Sequence, residues 1–350
     1  MSSPASPSAS RPAGRAIREV DGRLLSSPAQ FAREVLEPCL PVVMRGLVAG
    51  WPAVHAATRS VEDFQNYLAG FDNGGAADVF VGDPAIAGKY YYAEDFRGFN
   101  FERRHMRFID VLSAIVATQE LPGAPTMYLG SVPIADFLPG FTEHNVLHVL
   151  GAHIAPRIWL GHASNVSAHF DAYDNVACVV AGARRFTLYS PQSLGGLYVG
   201  PLDHTMAGQP VSLAASAPPD DDKYPLFAEA RAQALSAELE PGDGIYIPKL
   251  WFHHVEATAP FNGLVNYWWD AFSGGPDAPY TGLLLSMIAI AERPVRERLA
   301  WKAFFEHYVF RSNGHPLAHL PAERHGMLGP LKDNYAKIRA IVMHRLRGGG

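Results

Sequence analysis

Cysteine is nearly missing from this chain: two in 350 residues, Cys39 and Cys178. That is too few for a disulfide framework or a thiolate zinc site. No apolar run approaches the roughly eighteen residues that a membrane span needs. The opening stretch MSSPASPSASRPAGR lacks the apolar segment of a secretory signal. Neither sign of charge dominates. With 29 basic and 34 acidic residues the net charge is −5, which gives no electrostatic reason to expect a nucleic-acid partner. Charged residues are also scarce, 18% against 48% hydrophobic, and that excludes a disordered polyelectrolyte. A cytoplasmic globular protein without membrane or nucleic-acid partners is the expectation.

What is present changes in texture along the chain. Residues 1–16 are Ser, Pro and Ala with arginines, a composition that predicts a disordered tail. Residues 17–126 read as an α/β segment packed on a barrel. Within it Ser27 can cap a short helix to Val35, Pro41–Met44 reads as a buried strand, and Ser60 opens a second helix through Phe64 and Leu68. Apolar residues at 108, 111, 112, 115 and 116 have helical period. Residues 127–275 carry short runs rich in Val, Ile, Tyr, Phe and Trp between Gly, Pro, Asn and Asp, the pattern of a sandwich or closed barrel. The polar interruption from Leu197 to Leu239 predicts a mobile excursion between halves of the sheet. Residues 276–350 return to helical spacing and predict a helical extension, whose apolar stretch Leu283–Ile288 offers a homodimer face or packs on the barrel.

Most of the fifteen histidines sit in segments without metal-like partners. His169-Phe170-Asp171 differs: alternation along a strand puts the imidazole and the carboxylate on one face and Phe170 on the other. Alone this pair is also compatible with a buried hydrogen-bonded unit. The second segment is Pro241-Gly-Asp-Gly-Ile-Tyr-Ile-Pro-Lys-Leu-Trp-Phe-His253-His254-Val255. Trp251, His253 and Val255 share one parity, and Phe252, His254 and Glu256 the other. The more apolar set should line the interior, so His253 is the expected ligand and His254 faces outward. Two histidines and a carboxylate on one face of an octahedron leave three open positions, the arrangement of non-haem Fe(II) oxygenases. Asn175 falls on the same inward parity. In Arg184-Arg185-Phe-Thr-Leu188, Arg184 is inward if Phe186 and Leu188 are, and a buried guanidinium calls for a bound carboxylate or a structural ion pair. Asn266, in an otherwise apolar strand, needs hydrogen-bond partners inside.

Together HFD at 169–171 with Asn175, GARRFTLYSP at 182–191, PGDGIYIPKLWFHHVEA at 241–257 and NYWW at 266–269 resemble the JmjC-type, cupin-8 group of 2-oxoglutarate-dependent oxygenases. Pro41–Pro52 resembles the segment that opens those proteins. The resemblance implies a double-stranded β-helix (jelly roll) with N-terminal helices and a C-terminal helical extension. It implies that His169, Asp171 and His253 bind Fe(II), and that 2-oxoglutarate is consumed to succinate and CO₂ while a substrate C–H bond is hydroxylated. It further implies that Arg184, standing where many members carry lysine, and Tyr128 hold the distal carboxylate, with Asn175 and Asn266 bordering the co-substrate. Arginine keeps the charge but changes reach and geometry. Tyr90, Tyr91 and Tyr92 read as packing near a cavity mouth. The prime substrate is expected to be a protein side chain, a peptide or a small metabolite. A non-oxidative metal cupin and a small-acid-binding cupin without turnover are the alternatives.

Overall fold

A computed structural model of the chain describes residues 15–93, 97–202, 205, 208–216, 220–273, 275 and 277–348. The predicted tail up to residue 14 and the prolines at 218 and 219 lie outside them. The chain forms two compact units, Met1–Ala271 and Phe272–Gly350.

In the first unit, strands β1 (Arg15–Ala16) and β2 (Arg18–Asp21) are followed by β3 (Val42–Arg45), β4 (Ala76–Gly82), β5 (Lys89–Tyr90) and β6 (Phe101–Arg107). Then come β7 (Thr126–Pro133), β8 (Pro156–His169), β9 (Asp174–Ala181), β10 (Arg184–Tyr189), β11 (Leu235–Leu239), β12 (Gly244–Ile247) and β13 (Phe252–Trp269). Two long strands organise the rest. β13 runs antiparallel to β8 over most of its length, with His253 directly opposite His169. The first part of β13 also pairs with β10, the last part with β9. The register shift between Ala257 and Phe261 marks where β13 leaves one sheet for the other, and Pro260 sits in that irregularity, where no ladder N–H is required. Strands β3, β12, β9, β13, β8, β7, β4 and β6 continue in order on one side, while β10 and β11 lie beside the first part of β13. This is a double-stranded β-helix, a jelly roll with helical additions.

Strand β9 shows why the barrel is closed and covered. All eight of its residues are buried. Ala177 and Val179 join Phe186, Leu188, Ile245, Ile247, Val255 and Leu264 in the interior cluster. The alternate residues Val176, Cys178 and Val180 pack instead with Phe31, Trp51, Phe64 and Phe108 from the helical layer. A strand buried on both faces reads as a continuous apolar run, as this one does. Between β9 and β10 the chain turns the corner at Gly182, whose φ of 70° is left-handed; a Cβ there would lie 2.4 Å from the Phe261 carbonyl oxygen. That tight corner sets the parity on which Arg184 enters β10.

The helical layer follows its local signals. Ser27 caps Pro28–Phe31 by accepting from the Gln30 N–H at 3.3 Å, and Ser60 caps Val61–Ala69 by accepting from Asp63 at 3.0 Å. Phe108–Thr118 buries Phe108, Val111, Leu112 and Ile115, one face at a period of 3.6.

Two expectations change. Arg15 and Ala16, assigned by composition to the tail, pair in parallel with Leu235 and Ser236. The polar stretch after Leu197 is not simply an excursion: Leu197, Ala214, Ala215, Tyr224, Phe227 and Ala230 form a core with Tyr189 and Phe252. Its apolar residues are too sparse for periodicity to detect, but they meet one hydrophobic face of the barrel.

In the second unit, helices Pro279–Ile290, Val295–Phe305 and Leu331–Leu346 contain no buried residue. Leu283, Leu284, Met287, Ile288, Leu299 and Phe304 are exposed. Among the described residues no helix is long and apolar enough to cross a membrane.

Candidate active site

The end of β8 and the start of β13 bring His169, Asp171 and His253 together, with one donor atom of each within 4.8 Å of the others. The direct His169–His253 pairing explains this, because register, rather than nearness in sequence, makes the contact. The backbone ties the segments once more through the Leu250 N–H, which donates to the Asp171 carbonyl at 2.9 Å. Phe170 turns to the opposite face and packs against Phe252, with ring centroids 5.2 Å apart.

Each imidazole is held in one orientation. His169 Nδ1 lies 2.8 Å from the Ser167 carbonyl, and His253 Nδ1 lies 3.1 Å from that of Trp251. A carbonyl only accepts, so Nδ1 carries a proton on both rings and Nε2 is the nitrogen left for a metal. His253 Nε2 stands 3.6 Å from Asp171 Oδ2. Burial, and next the neighbouring His169, pushes the His253 pKa down to about 4 although Asp171 pulls it up. A neutral imidazole is the form that binds a metal.

Two further side chains approach the Asp171 oxygen that faces His253. Trp268 Nε1 donates to Oδ2 at 3.1 Å and Asn175 Nδ2 approaches the same oxygen at 3.5 Å. Asn266 donates to the Asn175 side-chain oxygen at 3.2 Å and accepts from Trp159 Nε1 at 2.7 Å. Asn175 thus lies on the face where alternation placed it, and Asn266 has the buried partners that an amide in an apolar strand calls for. Trp159 and Trp268 escaped the sequence reading. Trp268 was within reach, being two residues beyond Asn266 on the same strand face.

These groups line a cavity of about 270 Å³ whose walls include Phe80, Tyr90, Tyr128, Trp159, Phe186 and Val255. Tyr90 stacks on Tyr128 at 5.7 Å, so it belongs to this wall. Gln209 and Val211, from the stretch after Leu197, also reach it, and no sequence signal pointed to them. Arg184 enters from β10, paired with Ala257, whereas His253 is paired with Leu188. Four residues of strand separate the two positions, about 13 Å at 3.3 Å per residue. Arg184 is 3% exposed, and among the described residues neither its Nε nor its Nη2 has a hydrogen-bond partner. Burial draws the guanidinium below its ordinary value, opposed by Tyr128. Burial raises the Tyr128 phenol, and Arg184 pulls it partly back. A buried cation with open donors beside a phenol is a receptor for an anionic oxygen. Arg185, on the other parity, is exposed and bonds Glu238 at 2.7 Å. His254 also takes the other parity, but it is buried, not outward: its Nε2 lies 2.6 Å from Asn165 Oδ1, because a second layer covers that face.

Residues 28–275 match the cupin-like domain family. The chain is similar to the Jumonji C domain-containing protein 5 of Drosophila melanogaster, 36% identical over 115 residues, 33% of this chain and 27% of that protein. It is similar to the bifunctional peptidase and (3S)-lysyl hydroxylase JMJD7 of Homo sapiens, 26% identical over 272 residues, 70% of this chain and 81% of that protein. With the tRNA wybutosine-synthesizing protein 5 of Mus musculus it shares 39% identity over 101 residues, 29% of each chain. The match thus spans under a third of the Drosophila and mouse relatives and about four fifths of the human one.

Proposed function

The chain belongs to the cupin-like, JmjC-related family, and from that premise we propose that it is an Fe(II)- and 2-oxoglutarate-dependent oxygenase that hydroxylates a C–H bond. The observation that carries this reading is one cavity with two kinds of unfinished chemistry: three convergent donors and a buried guanidinium with two open N–H groups. Two imidazoles and one carboxylate suit Fe(II) with three positions to spare, whereas zinc favours a tetrahedral site with one. Bound iron and keto acid would supply oxygen activation, C–H hydroxylation, and release of succinate and CO₂.

The chain's own residues do the rest. His169, Asp171 and His253 hold the metal. Arg184 and Tyr128 bind the distal carboxylate of the co-substrate, which fixes which end faces the metal. Asn175 and Asn266 border it while keeping Asp171 in place. Phe80, Tyr90, Trp159 and Phe186 exclude water from the reacting atoms. The human relative named as a lysyl hydroxylase spans most of both chains and supports a protein or peptide side chain as prime substrate.

The test is anaerobic titration with Fe(II) and 2-oxoglutarate, then admission of air and assay of succinate. We expect both to bind, and slow succinate release without prime substrate that disappears in Asp171→Ala. Zinc retained without any succinate, or keto-acid binding without turnover, would overturn the oxygenase reading in favour of a non-oxidative cupin.

A further inference from the structure

The contacts around Asp171 run farther than a metal ligand requires. Trp268, whose indole N–H meets the carboxylate, is held on two sides. Trp159 meets its ring edge-on, with centroids 5.7 Å apart and planes at 87°. The guanidinium carbon of Arg157 lies over it, 5.9 Å from the centroid. Arg157 is itself fixed: Nε and Nη2 donate to the Ser131 carbonyl at 3.1 and 2.8 Å, and Nε also donates to the Ser131 hydroxyl. Ser131 occupies the irregularity in β7 between Leu129 and Val132, with φ 56°, and it forms part of the cavity wall with Gly130.

Register explains the assembly. Arg157 faces Asn266 and Trp159 faces Leu264 across the β8–β13 ladder, so with Trp268 they fall on one face of a two-strand ribbon. An indole N–H donates and never accepts, so it meets a lone pair of Asp171 Oδ2 and restrains the oxygen it grips. A ring in contact with both a cation and a second ring cannot swing that N–H away without disturbing those contacts.

Resting on the reading of Asp171 as a metal ligand, we propose that Trp268 is a positioning residue for that carboxylate and that Arg157, anchored on the Ser131 bulge, aims Trp268. Neither residue touches the metal; both act through Asp171.

Metal-free protein titrated anaerobically with Co(II), with the visible d–d bands followed, tests this. Trp268→Phe keeps a ring and deletes the N–H; the Co(II) Kd should rise about 10- to 100-fold, the range for losing a partner of a metal ligand, and the bands should shift. Arg157→Met keeps the N–H and an apolar stem but removes the planar cation; it should move Kd and bands in the same direction by less. Thermal melts establish that each variant is folded, and if Trp268→Phe does not fold, Arg157→Met carries the test alone. Wild-type Kd and unshifted bands in the folded variants overturn the inference. Wild-type protein that binds no Co(II) overturns the metal reading beneath it, a distinct result.

Discussion

The two ends of the cavity are finished to different degrees. At the end formed by His169, Asp171 and His253, both Nδ1 atoms meet backbone carbonyls and one carboxylate oxygen meets an indole N–H and an amide. At the other end Arg184 is buried, and among the described residues two of its donor nitrogens have no hydrogen-bond partner. Leaving a buried donor unmade costs about 1–3 kcal/mol, more when it is charged. A fold keeps such a group where something else completes it. The first end is preorganised in the protein; the second has donors that a ligand can complete, as the proposed function requires.

That contrast can be broken from either side. The largest effect should come from His253→Ala, which removes one of three donors: metal binding in the anaerobic titration should be lost, and succinate formation with it. Metal retention at wild-type affinity would mean that the convergence of donors is structural. Next in size, Arg184→Ala should weaken 2-oxoglutarate binding by about 2–5 kcal/mol, the range for truncating one partner of a buried charged hydrogen bond, while Fe(II) affinity stays unchanged. Loss of both together would mean that the two ends are not separable.

Third, Asn266→Ala leaves Trp159 Nε1 and the Asn175 oxygen without their partner. It should lower folding stability by about 1–3 kcal/mol, read in denaturant titration. A neutral substitution would show that the amide network contributes little. Smallest of all, Arg185→Ala removes an exposed ion pair to Glu238 and should change stability and keto-acid affinity by less than about 1 kcal/mol. The adjacent arginines differ by one step of strand parity, and that step separates the second prediction from the fourth.

How much of this was legible beforehand varies by residue. Period-two alternation put Phe170 and Phe252 on one side and His169, Asp171 and His253 on the other, because a strand's side-chain direction is a local property. The same arithmetic anticipated Asn175 inside and Arg185 outside, while the need of a buried amide for partners pointed to Asn266. It misjudged His254, since parity says which face a residue takes but not whether another layer covers that face. It could not see that Val211 and Phe227 join the barrel, because apolar residues that sparse carry no period. Trp268 shows a third case: its inward parity was readable, but its grip on Asp171 depends on where the chain beyond β8 turns.

The order of short apolar runs, the Gly and Pro punctuation between them and the parity of each side chain were determined by the sequence alone, since backbone sterics and local geometry act over a few residues. Only the tertiary structure decided that His169 stands opposite His253, that Arg184 keeps two donors open and that Arg157 reaches Trp268 from Ser131. Those depend on register between strands far apart in the chain, and register is set by the summed packing of both sheets rather than by any one segment.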